Sequence, residues 1–156
     1  MIQIQIPGFG DLELSHLVID YNGTLALDGK LLPGARELIT SLAADLKIHV
    51  LTADTFGLAN SQLAGLPVEL TVLPPESQTN AKRTFVEHLG VQNVVAIGNG
   101  RNDRKMLDVA ALGIAVIQKE GAAIDAVLSA DIVTTNVWEA FELLRHPKRL
   151  LATLRS

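Results

Sequence analysis

The sequence predicts an α/β fold: a parallel sheet with helices on both faces, Rossmann-like in its three layers. Two observations lead there. Short apolar runs (17–19, 48–51, 94–97 and 114–117) alternate with stretches in which apolar residues recur at helical spacing. The runs are continuous rather than alternating, as strands covered on both faces must be.

In chain order, Ile2, Ile4 and Ile6 alternate with Gln3 and Gln5, and Leu12-Glu13-Leu14 alternates again after the turn at Pro7-Gly8-Phe9-Gly10-Asp11. This predicts an N-terminal β-hairpin. His16 to Asp20 reads as a buried strand. Pro33-Gly34 precedes a helix from Ala35 to Leu46, with Pro33 at or just before its first turn. Ile48 to Leu51 is a strand that ends in Thr52-Ala53-Asp54-Thr55. A short helix over 58–63, a strand over 68–72 stopped by Pro74-Pro75, and a helix over 78–89 closed by Gly90 follow. Then come a strand (94–97), a helix (103–111), a strand (114–117), a helix (122–128) and a brief strand (131–133). Asn136 is placed to cap a helix over 137–144, with Glu139 as its capping-box partner. Pro147 interrupts before a last amphipathic turn or two, and Trp138, Phe141 and Leu144 read as core.

The 156 residues are the size of one domain, expected to span 1–156 without a separately folded cap. Seventeen acids against thirteen bases give a net charge of −4 and no basic footprint for nucleic acid. Without cysteine there is no disulfide scaffold, thiol nucleophile or thiolate metal site. No apolar run approaches the length of a membrane span, and the N-terminus has no signal-peptide pattern. A cytoplasmic protein is expected. The four histidines, at 16, 49, 88 and 146, show no metal-ligand spacing and read as structural or exposed.

Ligands in such folds collect at the carboxyl ends of the strands, and Asp20, Thr52, Asn99 and Asp103 all lie just beyond such ends. A strand-end aspartate is often only a turn former. Here Asp20 is followed by Asn22-Gly23-Thr24 and mirrored by a second polar turn, Gly98-Asn99-Gly100-Arg101-Asn102-Asp103. A carboxylate stays ionised near neutrality, so Asp20 suits attack on phosphorus with Mg²⁺ gathering the charges. The Thr52 hydroxyl and the N–H of Ala53 suit a phosphoryl oxygen, although a strand-end threonine also satisfies local backbone. Lys82, in the first turns of its helix, suits an ammonium that steadies both carboxylate and phosphate; its neighbour Arg83 competes for that role. Asn99 and Asp103 are oxygen ligands for Mg²⁺, while Asn102 and Asp103 also suit a helix start.

These motifs, in this order, resemble the haloacid dehalogenase-like phosphohydrolase superfamily over about residues 16 to 135. Asp20-Tyr21-Asn22-Gly23-Thr24 is similar to its first motif, Thr52 to its second, Lys82 to its third and Gly98 to Asp103 to its fourth. Within the superfamily the chain looks most like small soluble proteins described as P-type-ATPase-like. The resemblance implies an aspartyl phosphate on Asp20 and Mg²⁺ held by Asp20, the backbone carbonyl of Asn22, Asn99 and Asp103. It implies a small phosphorylated substrate and a phosphatase, Mg²⁺-dependent, acting on monoesters. Two positions depart from the pattern. Asn22 stands where such phosphatases carry an acid/base aspartate, and Asn99 where they carry a metal-binding aspartate. Slow turnover and weak cation binding are therefore expected. The second reading is a degenerate relative that binds phosphate or a protein partner, such as a regulatory module of a larger ATPase. Transport is not expected, since there is neither a membrane domain nor room for a nucleotide-binding insert. An uncapped site lies open to water, so a homo-oligomer, or else a macromolecular substrate, is expected, with the front hairpin and residues 25–32 as the segments to cover a neighbour's site.

Overall fold

The computed structural model describes residues 1–54 and 57–156; Thr55, expected at the end of a polar turn, lies outside them. The hairpin forms from β1 (Ile2–Ile6) and β2 (Gly10–Leu14), paired antiparallel as a two-stranded sheet of their own. Its isoleucine and leucine face, with Ile2, Ile6, Leu12 and Leu14 buried, packs into the core, and its Gln and Glu side chains face out.

The main sheet is six-stranded and parallel. Its strands are β3 (His16–Asp20), β6 (Lys47–Thr52), β7 (Val68–Val72), β8 (Val94–Gly98), β9 (Leu112–Val116) and β10 (Ile132–Thr134). They lie in the order β10-β9-β8-β3-β6-β7. Successive residues of the central strand serve opposite faces. Leu17 and Ile19 join the core beneath α1 (Ala35–Leu42), α6 (Val137–Arg145) and α7 (Pro147–Leu154). Val18 joins a second core beneath α3 (Gln78–Leu89), α4 (Arg104–Val109) and α5 (Ile124–Ser129). That double burial is why these strands read as unbroken apolar runs. A short α2 (Leu58–Leu63) follows β6. No separately folded cap stands over Asp20 among the described residues. Nor is any helix among them long and apolar enough to cross a membrane.

Several boundaries differ from the sequence reading. Helix α1 starts at Ala35 as expected, behind Gly34 in the left-handed region (φ 81°), with Pro33 just before its first turn. It ends at Leu42 rather than Leu46: Leu46 N–H still bonds to Leu42 O, keeping Leu46 buried at helical spacing through a turn. Strand β9 runs over Leu112–Val116 rather than 114–117. The helix expected from Asp103 is preceded by a 3₁₀ turn over Arg101–Asp103. Helix α6 is capped as expected, Asn136 Oδ1 accepting from Glu139 N–H at 2.8 Å.

A small hairpin in the connection after β3 has no counterpart in the sequence reading. It pairs β4 (Ala26–Leu27) with β5 (Lys30–Leu31). Its turn residues Asp28 and Gly29 both have positive φ (52° and 81°), as a two-residue primed turn requires.

Candidate active site

After β3 the chain first builds β6 and β7 on one side, then crosses to build β8 on the other. The carboxyl ends of β3, β6 and β8 therefore meet where the strand order reverses, which is where a crevice opens in such sheets. Asp20 ends β3, Thr52 ends β6 and Asn99 follows β8. All three line one cleft of about 450 Å³, together with Asn22, Asp54, Gln78, Asn102 and Glu120.

Lys82 lies at the floor. It is the fifth residue of α3, fully buried, and its Nζ donates to Asp20 Oδ1 and to Asp103 Oδ1, each at 2.7 Å. A lysine is buried this way only when paired. Arg83 does not compete: it is half-exposed and pairs with Glu87 at 2.7 Å on the surface. Asp103 is also fully buried, and its Oδ2 accepts from the N–H groups of Asn99 (3.0 Å) and Gly100 (2.8 Å). The carboxylate thus closes its own turn while its other oxygen holds the lysine. A side chain on Gly98 would put its Cβ 2.5 Å from Asp103, so this packing needs glycine there. Asn102 caps no helix; its Nδ2 donates to Gln78 Oε1 at 2.9 Å, tying this turn to α3.

Burial, and then the charge of Asp103, push the Asp20 carboxyl well above the usual carboxylate range, against the pull of Lys82. The two carboxylates hold the Lys82 ammonium above its ordinary range although burial works against the charge. These shifts favour opposite states of the ion pair, and the geometry decides between them. With two carboxylates at 2.7 Å the lysine stays an ammonium. Asp103 is the more firmly held of the two carboxylates, with two backbone donors besides the ammonium.

The turn after Asp20 is held from several directions. The Tyr21 hydroxyl donates to Gly29 O at 2.7 Å, and Gly29 N–H donates to Asn22 Oδ1 at 3.1 Å, so both groups of Gly29 fix the turn. Burial raises the Tyr21 phenol to about 12, which keeps it a donor. Gln118 Nε2 donates to Gly23 O and Thr24 O at 3.0 and 2.9 Å, and its Oε1 accepts from Val137 N–H at 2.9 Å. Asn99 joins the two polar turns: its Oδ1 accepts from the Thr24 hydroxyl at 3.3 Å and its Nδ2 donates to Gly121 O at 3.1 Å. Gly23 packs on that amide with φ 82°, and a Cβ there would meet it at 2.5 Å. Thr52 Oγ1 accepts from Asp54 N–H at 3.1 Å, which leaves the hydroxyl proton to donate onward.

All six residues singled out in the sequence thus come together. Asp20, Asn22, Thr52 and Asn99 line the cleft, and Lys82 and Asp103 brace it from behind. Gln78, Asp54, Gln118 and Glu120 were not legible there. No group of three or more His, Asp or Glu forms a metal cage among the described residues. Among the oxygen-bearing residues that line the cleft, Asp20, Asn22 and Asn99 suit a hard cation of the Mg²⁺ kind, with one formal charge among those three. Asp103 has donors on both oxygens, so a direct bond to a cation there needs one of those contacts to give way.

The chain matches the family profile of the haloacid dehalogenase-like hydrolases over residues 77–139. It is 43% identical over 83 residues to the uncharacterized protein MJ0073 of Methanocaldococcus jannaschii, a stretch covering 51% of this chain and 89% of that one. It is 29% identical over 113 residues to the phosphoserine phosphatase of Lactococcus lactis, covering 71% of this chain and only 51% of that enzyme. In structure it is similar to the 3-deoxy-D-manno-octulosonate 8-phosphate phosphatase of Moraxella catarrhalis, solved with magnesium and phosphate ions: TM-score 0.67, 16% identity, 89% and 90% of the two chains covered. That last likeness is one of fold.

Proposed function

We propose that this chain is a Mg²⁺-dependent phosphate monoester hydrolase that works through an aspartyl phosphate on Asp20. The observation that carries the reading is the floor of the cleft: one buried ammonium held at 2.7 Å from both Asp20 and Asp103 at the meeting point of three strand ends. An aspartate required only for a turn does not need a buried lysine to brace it. The phosphoserine phosphatase of Lactococcus lactis supports the same reaction class and a small phosphorylated substrate.

In this mechanism Lys82 fixes Asp20 by one oxygen and leaves the other to attack phosphorus. The bond from phosphorus to the leaving oxygen breaks, and its electron pair departs with that oxygen. The Thr52 hydroxyl and the Ala53 N–H hold a phosphoryl oxygen. A cation held by Asp20, the Asn22 carbonyl and Asn99 supplies positive charge to the phosphoryl group when bound. Asn22 can donate a hydrogen bond but gives up no proton, so the leaving oxygen takes its proton from solvent. Water then attacks the phosphorus, the bond to Asp20 breaks, and inorganic phosphate leaves. The chain acts as one unit over 1–156, and its lack of cysteine suits a reducing compartment such as the cytoplasm.

One observation favours the alternative of a binding module with little turnover: Asn22 and Asn99 are both engaged as struts, bonded to Gly29 and to Thr24 and Gly121. Phosphate release from an aryl phosphate, with and without Mg²⁺, separates the two. The hydrolase reading expects Mg²⁺-dependent release that Asp20→Asn abolishes. Release that is absent, or that survives Asp20→Asn, refutes it.

A further inference from the structure

Beside the cleft lies a second concavity, of about 610 Å³, at the carboxyl ends of β9 and β10. Its walls are apolar: Leu27 and Leu31 from the small hairpin, Ile117 after β9, and Trp138 on α6. Ile117 leaves 44% of its surface bare, unusual for an isoleucine whose neighbours on the strand are wholly buried. Two cations, Lys30 and Lys119, stand among these walls, and neither joins an ion pair among the described residues.

Three features say what the groove takes. Its volume is that of a small-molecule site, a few hundred Å³ with mostly apolar walls and few polar groups. It is continuous with the cleft of Asp20: Glu120 lines both, and Gly23 and Asn22, adjacent in one turn, line the groove and the cleft respectively. Its charge is that of two ammonium groups beside one carboxylate, Glu120, which stands on the side shared with the cleft. We propose that this groove is the subsite for the organic part of the substrate, and that the substrate is a phosphate monoester of a ring-sized apolar group carrying a carboxylate or similar anionic tip. The phosphoryl group lies over Asp20, the apolar body crosses Glu120 onto Leu27, Leu31, Ile117 and Trp138, and the tip meets Lys30 or Lys119. The inference rests on the hydrolase reading for the phosphoryl end; the groove itself is tested without turnover.

Trp138 is the single tryptophan of the chain and reports directly on the groove. The probes are 3-phenylpropionate and its cationic counterpart phenethylammonium, titrated against Trp138 fluorescence. A saturable change is expected with 3-phenylpropionate, and binding about tenfold weaker with the cation, from its repulsion by the two lysines. Ile117→Asp, at an exposed position that leaves the core intact, should weaken 3-phenylpropionate about tenfold or more. Asp20→Asn should leave that binding unchanged. No saturable response, or equal responses to both probes, overturns the proposal. A fluorescence change that follows protein concentration but not probe also overturns it, in favour of a second copy seated in the groove. Kinetics keep the two claims apart. Probe binding without hydrolysis of any monoester refutes the hydrolase reading and leaves an organic-anion subsite. Hydrolysis with the same KM for methyl and phenylalkyl phosphates, and no probe binding, refutes the subsite and leaves the hydrolase.

Discussion

Replacing Asn22 by aspartate should turn a slow enzyme into a faster one, and the structure says why the substitution is mild. Asn22 is exposed, and its Oδ1 already accepts a hydrogen bond from Gly29 N–H at 3.1 Å. A carboxylate of the same shape keeps that bond, so the turn from Asp20 to Gly29 stays in place. The amide nitrogen becomes an oxygen that exchanges a proton with the leaving group and then with attacking water. General acid–base help of this kind is typically worth about 10²- to 10⁴-fold. The added charge near Asp20 raises the new carboxyl, which favours its protonated form at neutral pH. The gain in the first step should therefore be largest for alkyl phosphates, whose leaving oxygens need a proton, and small for aryl phosphates, which leave unaided; the gain in the second step is common to both. The assay is rapid-quench release of both the alcohol and the phosphate from one substrate of each kind. Wild type should show a burst of phenol ahead of a slow steady release of phosphate on the aryl ester, and Asn22→Asp should raise the steady rate on the alkyl ester about a hundredfold. An unchanged alkyl rate in Asn22→Asp would refute the assignment of that position to proton transfer.

Other predictions follow from the same contacts. Lys82→Met leaves Asp20 and Asp103 buried without their cation. It should cost about 3–5 kcal/mol in urea unfolding at neutral pH, less as acid protonates the carboxylates. Asn99→Asp loses the donor to Gly121 O and sets a carboxylate against that carbonyl. Its Tm without Mg²⁺ should fall, and Mg²⁺ should raise it more than in wild type; equal shifts would mean Asn99 does not face the cation. Burial pulls the His49 imidazole below its ordinary value, with Glu69 working against that and His16 and Lys47 with it. The unfolded chain then binds the proton first, so stability should hold above about pH 6.5 and decline below it. His49→Gln should flatten that decline in unfolding curves taken across the acid range.

Sequence logic and structure meet most closely where a polar residue ends an apolar strand. Asp20, Thr52 and Asn99 were legible because a parallel sheet leaves its carboxyl edge as the place for chemistry. Lys82 was legible only as one cation among several, because burial depends on what the helix packs against. That α3 presses it against two carboxylates is a property of the crossing from β7 to β8. Asp103 looked suited to a helix start or a metal; its closure of the turn at Asn99 and Gly100 needs the 3₁₀ geometry before α4. The small hairpin had a readable signal, Asp28-Gly29 between Leu27 and Lys30, a pair that favours the primed turn. Gln118 and the groove had none. Their partners lie as much as 95 residues apart and are joined only by the sheet order.

The central claim is that Asp20 is a nucleophile rather than a brace in a binding site. The direct measurement is the mass of the protein quenched in acid shortly after mixing with an aryl phosphate and Mg²⁺, with the modified peptide sequenced. The account predicts one phosphoryl group, on Asp20, stable to acid, lost in mild base and absent from Asp20→Asn. Phosphate released with no phosphoryl group on the protein at any time, or a phosphoryl group on another residue, would contradict it.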